Sequence, residues 1–174
     1  MKRNIIFFFL IFFVFASNNP TLAEINISFV DVDYIYSNSK IGKKIDDQLK
    51  SEKQKINDKL TSYQKNIKDG KEKLINQRKI ISEEKFKNQA IDLEKQIKKY
   101  NKLISDNNNS FIKYKAEIKS LFLKKLMNIV REYAEVNSIQ LVLNKKDIII
   151  GQNAMDISND ILKLVNKKMN DIKL

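Results

Sequence analysis

Residues 55–74 read KINDKLTSYQKNIKDGKEKL. Apolar side chains fall at Ile56, Leu60, Tyr63, Ile67 and Leu74, and nearly everything between them is charged or amide. Steps of three and four put these side chains on one face of an α-helix. That face is narrow, so the helix offers a slim apolar seam and a wet, lysine-rich remainder instead of one side of a thick core.

The helical signal continues in both directions for about ninety residues, with Gly70 the one glycine beyond Gly42 and no proline. In its second half Phe86, Ala90, Leu93, Ile97, Tyr100, Ile104, Asn107, Phe111, Tyr114, Ile118 and Leu121 alternate steps of four and three. This is the a/d repeat of a coiled coil. The seam weakens across QRKIISEEKF (77–86), where Ser82 followed by Glu83 and Glu84 reads as an N-cap with acids in the first helical turn. A turn near residue 81 folds the pattern into a helix from about 39 to 80 and a return from about 83 to 136, an antiparallel arm roughly 60 Å long. A rival turn at Asp69 and Gly70 stays open. Continuity is preferred, because the seam passes through position 70 in phase from Ile67 to Leu74. Glycine there costs about 1 kcal/mol relative to alanine, so Gly70 is expected to mark a flexible point, a hinge in the arm. Asn107, Asn108 and Asn109 interrupt the apolar series and predict local opening.

Outside the arm the period changes. EINISFVDV (24–32) alternates Ile25, Ile27 and Phe29 with Asn26 and Ser28, a half-buried strand. SNSKIGKKIDDQLK (37–50) supplies helix starters and then Ile41, Ile45 and Leu49 at helical spacing. SIQLVLNKKDIIIGQ (138–152) predicts two short strands, 139–143 and 148–150, joined as a hairpin by residues 144–147. MDISNDILKLVNKKM (155–169) predicts a short amphipathic helix beginning at Asp156 or Ser158, with Ile161, Leu162, Val165 and Met169 on one face. The expected class is α+β: a long coiled-coil hairpin (39–136) on a small β-strand body (24–38 and 137–174). A body of fifty to sixty residues with exposed strand edges is expected to oligomerise.

Residues 1–23 have a different character. Lys2 and Arg3 precede an unbroken apolar run over 5–16, and Thr21, Leu22 and Ala23 form an A-x-A-like site. This predicts a signal peptide cleaved after Ala23 and an exported mature chain. A retained anchor is the alternative, but twelve residues fall short of the about 20 that span a bilayer.

Cysteine, histidine and tryptophan are absent. Disulfide stabilisation, imidazole metal ligation and histidine-based catalytic relays are therefore excluded. Asp31 with Asp33, and Asp46 with Asp47, read as solvated charge with nothing convergent beside them. No enzyme, metal or cofactor is expected. Removing Lys2 and Arg3 leaves 31 basic against 21 acidic residues, a net +10, and residues 50–102 alone carry 16 against 8. All but three of the 33 basic residues are lysine, in keeping with a wider compositional bias toward lysine, isoleucine and asparagine, so the imbalance against acids is the firmer signal.

The order of these parts resembles the Skp/OmpH family of periplasmic chaperones across essentially the whole mature chain. FVDVDYIY after the signal peptide, LVLNKKDIII and DISNDILKLVNK carry the likeness. It implies a periplasmic homotrimer whose arms enclose a basic cavity that holds unfolded outer-membrane β-barrel protein precursors without ATP. The arm cations Lys53, Lys59, Lys65, Lys68, Lys71, Lys73, Arg78, Lys79, Lys85, Lys87 and Lys95 would act collectively on the client. Ile25, Ile27, Phe29, Leu141, Leu143, Ile148 and Ile150 would build the oligomerisation body. An anionic lipid or lipopolysaccharide surface is a further candidate partner, although no family lipopolysaccharide-binding site can be matched residue by residue. Two rival readings are an envelope structural or adaptor coiled coil and a non-specific polyanion-binding protein. Physiological nucleic-acid binding is disfavoured by the export signal, by only three arginines and by the lack of a base-reading motif.

Overall fold

A computed structural model describes residues 25–172, so the signal segment and its cleavage site lie outside the described residues. In chain order the elements are β1 (Ile27–Val30), α1 (Val32–Asn38), α2 (Lys40–Gln77), α3 (Glu83–Val136), β2 (Leu141–Asn144), 3-10 turns at Lys145–Asp147 and Asn153–Met155, and α4 (Ser158–Lys168).

The arm is the hairpin of α2 and α3. Helix α2 is uninterrupted through Gly70, and at 1.5 Å per residue its 38 residues extend about 57 Å. The chain turns at 78–82, and the Ser82 hydroxyl accepts from the Lys85 N–H at 3.4 Å, with Glu83 and Glu84 in the first turn of α3. These acids sit against the positive end of the helix dipole.

Helix α1 was not anticipated within DYIYSN. Asp31 caps it by accepting the Tyr34 N–H at 2.8 Å, which ends β1 abruptly and starts a helix. Ser39, fully buried, closes one helix and opens the next: its hydroxyl donates to the Tyr36 carbonyl at 3.2 Å and accepts the Gly42 N–H at 3.0 Å.

The expected β-hairpin does not form. β2 pairs with β1 in parallel, in register from Ile27 opposite Leu141 to Val30 opposite Asn144. The reason lies in the arm, which goes out and back and returns the chain to where β1 begins. There Asn26 and Gln140 clasp: the Gln140 N–H donates to the Asn26 carbonyl at 3.0 Å, and the Asn26 N–H donates to Gln140 Oε1 at 2.6 Å. Both strands therefore start at the same end. After β2 the Ile148 N–H bonds the Lys145 carbonyl at 3.1 Å, and this turn carries 148–150 off the sheet. Ile149 and Ile150 are left 98% and 91% exposed. The half-buried alternation expected of β1 is also replaced, since Ser28, Phe29 and Val30 are all buried while Ile25 precedes the strand and is exposed.

The body's core is mostly helical. Ile35 of α1, Ile41 and Ile45 of α2, Phe122 and Leu126 of α3, and Ile161 and Val165 of α4 are buried together. The Tyr36 ring meets Phe122 edge-on, with centroids 5.1 Å apart and planes at 88°. Burying such side chains contributes about 1.5–3 kcal/mol each, so the base of the arm is fixed by the same packing that holds the body together. α3 ends in a Schellman arrangement: the Ile139 N–H bonds the Ala134 carbonyl at 2.9 Å, and Ser138 takes φ of 53°.

Candidate functional site

The arm presents two kinds of surface. Between the helices, Ile56, Leu60, Tyr63 and Ile67 of α2 face the seam of α3 and are only half-buried. Leu74, at 9% exposed, is the one buried side chain of α2 beyond Ile45. The predicted seam is thus where the helices meet, but two helices cover one another only partly. Gly70 faces α3, and a β-carbon added there would make ordinary contact with Leu93 Cδ1 at 3.4 Å. Asn107 donates its side-chain N–H to the Leu103 carbonyl of its own helix at 2.7 Å.

Outside the seam lie the cations. All eleven predicted client-binding residues are exposed. Lys65, Lys68 and Lys71 line one shallow groove with Ile67, and Lys73 borders a cleft with Gly70, Leu74 and Leu93. Lys53 and Lys59 stand nearer the body on α2, Lys79 is in the tip turn, and Lys85, Lys87 and Lys95 are on α3. Arg78 lies 5.9 Å above the Phe86 ring. Lys95 pairs with Asp92 at 3.4 Å; the other ten have no carboxylate within 4.0 Å among the described residues. These cations are strung along the arm and do not converge on one point. Elsewhere on α3 the Lys98 ammonium bonds Glu94 at 2.7 Å and holds that carboxyl below the ordinary glutamate range.

Sequence periodicity missed the apolar side chains off the seam. Ile75 is exposed near the tip, Ile80 is 80% exposed in the tip turn, and Ile112 is 66% exposed on α3. They fall out of phase with the repeat, and only their being isoleucine among lysines marks them.

The predicted oligomerisation residues divide. Phe29 is buried, Ile27 and Ile148 are half-buried, and Ile25, Leu141, Leu143 and Ile150 are exposed on the single chain. Lys145 ties the segment after β2 to the body: its ammonium is 2.7 Å from Asp156 Oδ2 and 5.9 Å from the Phe29 ring centroid. Burial pushes the Asp156 carboxyl up, but hydrogen bonds from Lys145 and Ser158 outweigh it and hold the carboxyl below its usual range. Bonding to Asp156 raises Lys145. Among the described residues no group of three or more acids is placed to hold a metal ion, and no helix is long and apolar enough to cross a membrane.

A long two-helix arm with an uncovered, basic flank, rising from a small body with one parallel strand pair, defines the class of protein. The family model described as outer membrane protein (OmpH-like) matches residues 26–165. The chain belongs to this family, the Skp/OmpH family. A crystal structure of a candidate outer membrane chaperone (OmpH-like) from Caulobacter crescentus CB15 superposes with a TM-score of 0.81 at 15% identity, covering 86% of this chain and 88% of that one. At that identity the likeness concerns the fold. No curated protein matches the chain.

Proposed function

We propose that the chain is an ATP-independent periplasmic holdase that keeps unfolded outer-membrane β-barrel precursors from aggregating. In this reading the signal segment is removed after Ala23, and three copies associate through the body (24–38 and 137–174). The three arms (39–136) enclose a basic space, and Gly70 lets each arm bend around its client. The exposed Ile25, Leu141, Leu143 and Ile150 would be covered by neighbouring copies. An anionic lipid or lipopolysaccharide surface is a secondary partner of the same cations.

One observation carries the proposal: ten exposed arm cations have no carboxylate partner among the described residues, beside a seam that is mostly half-buried. Unpaired ammonium groups attract acidic segments over a Debye length, about 10 Å at 0.1 M salt. Many weak contacts hold a mobile chain by avidity without a single deep minimum, so release needs no nucleotide. The test is aggregation of a denatured outer-membrane β-barrel protein diluted at low salt, followed by light scattering with the mature chain (24–174) present. Suppression for several unrelated precursors supports the reading. Failure to suppress, or a compact monomer in sedimentation, removes it. Binding of one folded partner at fixed stoichiometry would favour the adaptor alternative.

A further inference from the structure

The seam between α2 and α3 changes along its length. At the base Ile118 and Phe122 are each 1% exposed, locked by α1 and α4. Farther out Ile56, Leu60, Tyr63, Ile67 and Tyr100 are half-buried, Ile97 is 37% exposed, and Leu74 alone on the outer part of α2 is buried. Among the described residues, α2 and α3 have only each other as cover there. Two positions weaken the outer seam further. Asn107 spends its side-chain hydrogen bond within α3 and adds none to α2. Gly70 contributes no side chain, leaving a cleft of about 240 Å³ beside Leu74 and Leu93.

Half-buried pairs lose less apolar contact on separating than core pairs do, and local opening is concentrated where buried contacts are few. Separation of the outer arm leaves the body's packing untouched, because that packing ends near Leu49 on α2 and Tyr114 on α3. From this we infer that the outer seam is itself a binding surface: α2 and α3 part between about residues 56 and 111, and an extended apolar segment of an unfolded polypeptide replaces the opposing helix. Ile67, Leu74, Leu93 and Tyr100 are the residues it covers. The exchange conserves apolar burial, so it lies near balance and reverses readily. Lys65, Lys68, Lys71 and Lys73 flank the opened face and fix the occupant's chemistry: apolar residues interspersed with carboxylates. This inference rests on the holdase reading and deepens it, turning the seam from scaffold into contact surface.

The absence of cysteine makes the test clean. Gly70→Cys/Leu93→Cys, made together, places two thiols at facing positions of the seam, where a β-carbon on residue 70 would meet the Leu93 side chain, and closure is checked by free-thiol count. Where oxidation is incomplete, a short bis-maleimide closes the same pair. Closing the seam is expected to lower capture of a denatured β-barrel precursor by about fivefold, with recovery when the disulfide is reduced. Equal capture by the closed and open forms overturns the inference while leaving the holdase reading in place. No capture by the unmodified protein removes both. Hydrogen exchange on the unmodified trimer with a denatured precursor gives an independent reading. Exchange within 56–74 and 93–111 is expected to change on binding while 118–130 stays constant, and no change in the outer segments overturns the inference.

Discussion

The carbonyl oxygen of Tyr36 lies 1.8 Å from the point where a β-carbon on Gly42 would stand. The contact pins α1 across the first turn of α2, and it explains a glycine in a place where helices ordinarily prefer alanine by about 1 kcal/mol. Gly42→Ala is therefore expected to reverse the usual preference and lower stability by about 2–4 kcal/mol, because backbone would have to move. Urea unfolding followed by circular dichroism measures this. A variant as stable as its parent would refute the close approach.

Ser138 makes the opposite prediction. It holds φ of 53° at the end of α3, a left-handed conformation that costs a side-chain-bearing residue roughly 1–2 kcal/mol. Ser138 itself bonds through its backbone N–H, to the Glu135 carbonyl at 3.4 Å, so glycine keeps that bond and relieves the strain. Ser138→Gly is expected to raise the midpoint of thermal unfolding, with a gain of about 1 kcal/mol. An unchanged or lower midpoint would show that unfolded-chain entropy offsets the relief.

The arm was legible because its information is local and repeated. Steps of four and three over Phe86 to Leu121, and the Ser82 cap followed by two acids, each recur in the structure where the sequence places them. The body was legible in its last helix and less so before it. VDYIYSN hides a seven-residue helix whose start depends on the Asp31 cap and whose end depends on Ser39 serving two helices at once. IIIG reads as a strand from its β-branched residues, yet a strand needs a partner, and the only described partner for β2 is β1. That pairing is set by the return of a hundred-residue excursion, which no local window contains. The seam positions are half-buried or buried where their spacing places them, Ile97 excepted, whereas the depth of burial depends on how many elements cover them and is set by the fold.

The tie between Lys145 and Asp156 should shape stability at the extremes of pH. The Asp156 carboxyl is held below its ordinary 3.8, so its contribution is present above that value and is lost as pH falls through the lower folded value. Lys145 is raised above its ordinary 10.5, so its share is present below that value and is lost as pH rises through the folded value. Between about pH 5 and 9 neither changes charge, and stability contributed by this pair should be flat. Asp156→Asn is expected to cost about 1 kcal/mol at pH 7, because Ser158 and Lys145 both lose their carboxylate acceptor. The difference from the parent should shrink in acid below pH 4, as measured by unfolding midpoints across pH. A difference that stays constant into acid would show that the charge of Asp156 is not what matters.

The arm's charge makes the last prediction, and the ten unpaired cations decide its form. Lys65, Lys68, Lys71, Lys73 and Lys79 are all exposed and carry no carboxylate partner among the described residues, so replacing them with glutamate removes no packing. The five changes take residues 50–102 from a net +8 to −2, reversing the sign of the field that an acidic client meets. Capture of a denatured β-barrel precursor at low salt is expected to weaken by about tenfold, while sedimentation and the unfolding midpoint stay as in the parent. Raising the salt to about 0.5 M should weaken the parent toward the variant, because screening shortens the reach of the same charges. If the reversed arm captures clients as the parent does, and the parent is indifferent to salt, then the lysines are only a solvated face and apolar contact alone holds the client.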